Sequence, residues 1–83
     1  MDVNLLSFVN ASEQRRKIIV CLEKMKTPSQ IAHETKLSSA HVSRSLKEFC
    51  QKRIVRCETP DAKVGRIYSL TNKGKEILNH LKK

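Results

Sequence analysis

The segment from Thr27 to Phe49 restricts the folding of this 83-residue chain more than any other. Thr27 is placed to cap a helix. Pro28 falls at the first helical position, where a missing N–H costs nothing, and Gln30 at the third can return a hydrogen bond to the cap's own amide. A helix from Pro28 to about Thr35 follows, with Ile31 and Ala32 facing inward. Leu37 sits in the next turn and plugs the angle to a second helix, capped by Ser38 or Ser39. There Val42, Leu46 and Phe49 recur at four and three residues, which makes one buried face. The opposite face presents His41, Arg44, Lys47 and Glu48. Two short helices joined by a tight turn, the second with its cations outward, are the expected centre of the molecule.

The flanking residues complete that unit. Residues 2 to 9 are expected to form a short helix or arm with a docked apolar side, and Ser12 caps a helix from about Glu13 to Lys24 whose inner stripe is Ile18, Ile19 and Leu22, helped by Cys21. Arg53 ends the helix that carries Phe49. Ile54 to Glu58 and Arg66 to Leu70 have the β-branched content of paired strands, around a tip from Thr59 to Gly65 punctuated by Pro60-Asp61 and Gly65. Thr71 caps a last helix with Ile77, Leu78 and Leu81 on its apolar side. With no repeat, low-complexity tract or linker, residues 1 to 83 are expected to be one domain. Its class is α+β, mainly helical: a three-helix core, a two-stranded wing and a C-terminal helix.

Size and composition narrow the function. A chain this small buries only roughly 60 to 65% of its unfolded surface, so a deep catalytic cleft is not expected. Gly65 and Gly74 are the only glycines, which excludes a phosphate-cradling loop or a dinucleotide fingerprint. Asp2 and Asp61 are the only aspartates, and no nucleophile, base and orienting acid fall together. No enzymatic activity, cofactor or metal is expected. Phe8, Phe49 and Tyr68 are the only aromatics, too few to stack on unpaired RNA bases. Tyr68 fits the core better than a base. The formal charge of +9 favours an anionic partner.

Cys21, Cys50 and Cys57 match neither a zinc pattern nor a redox C-x-x-C, and read as reduced thiols of a cytoplasmic protein. Cys50 and Cys57 lie near the helix-to-strand corner. A redox switch or a soft-metal site is one reading of them, and small buried hydrophobes is the plainer one. Asp2 stands where a secretory signal would want cations, and no apolar run approaches membrane-spanning length, so neither export nor membrane insertion is expected.

The chain resembles winged helix-turn-helix transcriptional regulators of the MarR/ArsR-like kind, closest to small archaeal stand-alone versions. The resemblance covers nearly the whole chain. It rests on Ser12 to Arg16, Thr27-Pro28-Ser29-Gln30-Ile31-Ala32, His41-Val42-Ser43-Arg44-Ser45-Leu46, Thr59-Pro60-Asp61, Gly65-Arg66-Ile67-Tyr68 and Leu70-Thr71-Asn72-Lys73-Gly74. Lys36 and Arg53 depart from it, since such proteins often have glycine in the turn between the paired helices and where the second gives way to the strand.

The resemblance implies a sequence-specific regulator of double-stranded DNA, with a recognition helix (about 39–52) in the major groove and a wing (about 59–66) on the backbone or in the minor groove. A long planar cation grips guanine through two hydrogen bonds, and Arg44 is the first choice for that role. His41 and Lys47 flank it. Ser38, Ser39 and Ser43 lie near the amino end of the helix, where hydroxyls and backbone amides hold phosphate. Lys63 and Arg66 flank the wing tip and are placed to track phosphates or enter the minor groove, although Arg66 could instead pair with a wing carboxylate. The alternative for Arg44 and Lys47 is an ordinary solvated face.

Charge along the chain does not separate these readings. Residues 12–26 carry five cations and two anions, residues 39–53 four and one, and residues 71–83 four and one. Arg15, Arg16 and Lys17 fit a solubilising face as well as contacts to flanking backbone, and His33 and His80 read as surface residues. A winged-helix protein-interaction module is the alternative function. A homodimer is expected, with Leu5, Leu6, Phe8, Ile77, Leu78 and Leu81 available either for its interface or for the monomer's own core. Any small-molecule effector is left undefined.

Overall fold

The elements of a computed structural model, which describes residues 3–82, run α1 (Val3–Asn10), α2 (Glu13–Cys21), α3 (Pro28–Thr35), α4 (Ser39–Gln51), β1 (Val55–Cys57), β2 (Tyr68–Leu70) and α5 (Asn72–Leu81). Asp2, placed at the start of the first expected helix, lies outside the described residues. Every helix after α1 begins at a hydroxyl. Ser12 accepts from the Arg15 amide at 3.3 Å, Thr27 from Gln30 at 3.3 Å, Ser38 from His41 at 3.1 Å and Thr71 from Gly74 at 3.2 Å. Gln30 Oε1 accepts in turn from the Thr27 amide at 2.9 Å, closing the capping box. Each such cap stabilises its helix by about 0.5–2 kcal/mol.

Ile18, Ile19 and Leu22 after α2's end, Ile31 of α3, Val42, Leu46 and Phe49 of α4, and Ile77 and Leu78 of α5 meet in one core. Leu37 packs on it from the α3–α4 turn. Leu5, Leu6 and Phe8 of α1, together with Leu81, also pack there. Phe8 stands edge-on to Phe49, with centroids 6.1 Å apart, and its ring lies 3.9 Å from the Arg15 guanidinium carbon and 4.5 Å from Lys52 Nζ. This clamps α1 to the end of α4.

The pairing β1 to β2 is antiparallel, Val55 opposite Leu70 and Cys57 opposite Tyr68. Both strands are shorter than the sequence suggested. At the start, Ile54's amide is already used to bond Phe49 O, so it cannot enter the ladder. At the far end Ile67 N donates to Thr59 Oγ1 at 2.9 Å, which turns the chain into the tip after one more rung, Glu58 N to Ile67 O. Helix α2 likewise stops at Cys21, short of Lys24, because the Leu22 amide is shared between the Ile18 and Ile19 carbonyls. The chain then straightens, and Lys26 exchanges two backbone hydrogen bonds with Tyr68 on the free side of β2. Helix α4 ends at Gln51 with Lys52 as its cap, and Arg53 lies just beyond it.

Lys36 (φ 62°) and Arg53 (φ 60°) both adopt the left-handed conformation. Around Arg53 the amide of Ile54 bonds Phe49 O and that of Arg53 bonds Cys50 O, the two-bond pattern that closes a helix on a left-handed residue, with apolar Ile54 packed near Phe49. At Lys36 the buried Thr35 hydroxyl does similar work, donating to Ile31 O and accepting from the Leu37 amide. A side chain in this region costs roughly 1 kcal/mol relative to glycine. Lys36→Gly and Arg53→Gly are therefore each expected to raise stability by about 0.5–1 kcal/mol, a melting temperature higher by several degrees. Unchanged or lowered melting in both variants would show that neither side chain is strained.

Gly74 sits where α5 passes closest to the α4–β1 corner. The Thr71 amide donates to Ile54 O at 3.0 Å, and its hydroxyl lies 2.6 Å from Arg53 O. A Cβ at Gly74 would fall well inside contact distance of Ile54 O, with Leu70 Cδ2 at 3.0 Å and Leu70 Cβ at 3.1 Å.

Candidate nucleic-acid interface

Helix α4 is held by its buried face, Val42, Ser45, Leu46 and Phe49, and Ser39, Ser43, Arg44 and Lys47 are exposed. His41 and Glu48, expected on the open face, are half-buried at its margins. Ser38 is exposed, but its hydroxyl is committed to capping α4, so its first role is to start the helix. Ser43 and Lys47 line a groove between α4 and the wing whose other wall holds Lys63 and Arg66. Half of the expected contact residues thus share one groove, while Ser38, Ser39, His41 and Arg44 lie outside its lining.

Pairing redistributes the charge that seemed even along the chain. Lys17 lies 3.6 Å from Glu13, Lys26 3.6 Å from Glu34, Arg56 2.9 Å from Glu58 and Arg15 4.0 Å from Glu48, and Lys82 pairs with Glu23. Arg15 also donates to Phe8 O and Arg16 to Asn10 O. The cations of α2 are therefore occupied inside the molecule, as a solubilising or structural face would be. Among the described residues the side chains of Arg44, Lys47 and Lys63 enter no ion pair or hydrogen bond, and neither do those of Lys36 and Arg53 on either side of α4, Lys73 and Lys75 of α5, or Lys24 between α2 and α3. Free positive charge is thus concentrated on and around α4, in the wing and at the start of α5.

The wing differs from the sequence reading in its arginine. Among the described residues Arg66 pairs with no carboxylate; its Nε donates to Ala62 O at 2.7 Å, which ties the tip together across Gly65 (φ 71°). Arg56 is the wing arginine that meets a carboxylate. Hydrogen bonds from Ser69 and then from Arg56 hold the Glu58 carboxyl below the usual carboxylate range. With Arg66 drawn back, Lys63 and Val64 project at the tip, Val64 being 90% exposed. No property of Val64 in the sequence signalled this, since β-branched residues usually mark strands. Leu46, Cys50, Cys57 and Tyr68 also line the groove. The strand alternation that puts Cys57 on Val55's side of β1 was the available signal for that arrangement.

No family model and no curated protein matches the sequence. Solved structures do. The antimony-specific transcriptional repressor AntR superposes over 98% of this chain and 71% of its own, at 18% identity and a TM-score of 0.80. ZitR of Lactococcus lactis, solved in complex with DNA, matches over 83% of this chain at 22% identity and a TM-score of 0.75. The adhesin competence repressor AdcR of Streptococcus pyogenes matches over 98% at 21% identity and a TM-score of 0.75. The fold is a winged helix-turn-helix. Within it α3 and α4 are the helix-turn-helix and β1, β2 and the tip are the wing. The chain spans about half the length of ZitR, 49%, and 63% of AdcR. A winged helix alone does not specify a ligand; the surface of α4 and the wing has to supply that argument.

Proposed function

We propose that this chain is a sequence-specific, double-stranded DNA-binding transcriptional regulator of MarR/ArsR-like type, with α4 in the major groove and the wing on the backbone or in the minor groove. The observation that carries this reading is the exposed face of α4, where Arg44 and Lys47 are free while five carboxylates neutralise cations elsewhere. Arg44 reaches a guanine edge with its planar fork. Lys47 and His41 contact a base or a phosphate, and Ser39, Ser43 and the amides near Ser38 hold the phosphate backbone at the start of the helix. Lys63 follows the backbone from the wing, and Arg66 fixes the tip and adds charge to the groove. The protein acts without catalysis, by occupying DNA in the cytoplasm, and two copies read a two-fold site with half-sites one turn of the duplex apart.

Selection from a pool of random duplexes tests this directly. Recovery of a recurrent motif is expected, and an unenriched pool at low salt would overturn sequence-specific binding in favour of a protein-interaction role. Lys63→Ala is expected to weaken cognate and random duplexes similarly, and to make the salt dependence shallower by about one phosphate's contribution. A loss confined to the cognate duplex would move Lys63 from the backbone to base reading.

A further inference from the structure

The groove between α4 and the wing has a floor that DNA contact does not use. Leu46, Cys50, Cys57 and Tyr68 form it, and Lys47, Lys63 and Arg66 stand around it. Two of the chain's three cysteines thus share one cavity although a helix end and a turn separate them in sequence. Both are free thiols and half-buried, unlike the fully buried aliphatic side chains that make the core. They are also close enough for charge on Cys57 to raise the proton affinity of Cys50, after burial as the larger cause. Cys21, the third thiol, lies in a separate cavity between α2 and α3, where Arg16, Lys17 and Lys36 are accompanied by the carboxylates of Glu13 and Glu34, whereas the lining of the α4–wing groove holds cations and no carboxylate.

The chemistry of this groove suits one class of reagent. Thiols exchange with disulfides, and a cationic rim raises the local concentration of an anionic reagent over a neutral one. We propose that Cys50 and Cys57 form a thiol-modification site at which exchange with an anionic low-molecular-weight disulfide displaces DNA. The displacement rests on the DNA-binding reading above, whereas the exchange does not. One of the two thiols releases its proton, and its sulfur attacks a sulfur of RS–SR. The S–S bond of the reagent breaks, and RS⁻ departs and takes up a proton. The protein sulfur is oxidised to a mixed disulfide and the leaving thiol is reduced, so the exchange balances without a further reagent. The adduct fills the groove and sets its carboxylates beside Lys47, Lys63 and Arg66, where they compete with phosphate.

The experiment treats the reduced protein with oxidised glutathione, which carries carboxylates, and in parallel with uncharged bis(2-hydroxyethyl) disulfide. Adducts are located by peptide mass mapping, and duplex binding is followed by fluorescence anisotropy before and after dithiothreitol. Adducts are expected on Cys50 or Cys57 ahead of Cys21, and faster with glutathione than with the neutral disulfide. Duplex affinity is expected to fall about tenfold or more and to return on reduction. Bound duplex should slow modification of Cys50 and Cys57 and leave Cys21 unaffected. The double variant Cys50→Ser, Cys57→Ser, compared with its own untreated form, should lose the response. Preferential modification of Cys21, or full duplex affinity with the groove adduct in place, would overturn the proposal. If untreated protein binds no duplex, the DNA-binding reading fails by itself. The preference of the anionic disulfide for the groove thiols over Cys21 then supports the modification site, and its absence overturns it.

Discussion

Gly74→Ala is expected to destabilise the protein by about 2–4 kcal/mol. Alanine usually favours a helix over glycine by about 1 kcal/mol, so propensity alone gives the opposite sign. The added methyl, however, would collide with the Ile54 carbonyl oxygen and press on Leu70, and both are fixed. Ile54 O accepts from the Thr71 amide, and the Ile54 amide closes the end of α4. Relief of the clash must therefore separate α5 from the α4–β1 corner. That strains a packed core, at about 1–3 kcal/mol, and weakens buried hydrogen bonds, at about 1 kcal/mol each. A domain this small has only about 4–12 kcal/mol in all. Urea or thermal unfolding would show the loss, and a variant as stable as the parent would mean that Gly74 is not a point of close approach.

Arg44→Ala is the second large effect, and it concerns recognition alone. Arg44 is exposed, and its side chain has no partner among the described residues, so the variant should unfold within about 0.5 kcal/mol of the parent. Its binding to the cognate duplex should fall by about 1–3 kcal/mol, roughly 5- to 150-fold, with a much smaller fall on random duplexes. Arg44→Lys is expected to recover charge without recovering discrimination, since an ammonium lacks the planar fork that meets two acceptors. Anisotropy titrations on both duplexes decide this. Equal losses on cognate and random DNA would remove Arg44 from base reading.

Features encoded by local chemistry were legible in the sequence. The caps at Ser12, Thr27, Ser38 and Thr71 are set by a hydroxyl and the backbone three residues on, and the buried face of α4 by the spacing of Val42, Leu46 and Phe49. Lys36 and Arg53 were marked only through the resemblance, as places where such proteins often have glycine, and both are left-handed. What escaped depends on partners distant in the chain. The rung between Lys26 and Tyr68, which ties the segment after α2 to the sheet, has no local signature, whereas the bond from Ile54 to Phe49 that delays β1 is a local closure of α4. The candidate site was legible in the same uneven way. Periodicity exposed Arg44 and Lys47, but it could not show that Arg66 would be drawn back to Ala62 or that carboxylates would neutralise α2 and leave α4 charged. Gly74 stood in a quoted motif without a reason; a glycine inside a helix hints at a close approach, and Ile54 supplies it.

The central claim is that the free cations of α4 and the wing meet a polyanion, and a salt titration of duplex binding tests it most directly. Log affinity should fall linearly with log salt, at a slope near −0.9 for each phosphate neutralised, so about −2.7 for one protomer and about −5.4 for two on one site if Lys47, Lys63 and one further cation per protomer contact the backbone. Binding that ignores salt, or no duplex binding even at low salt, would contradict the account.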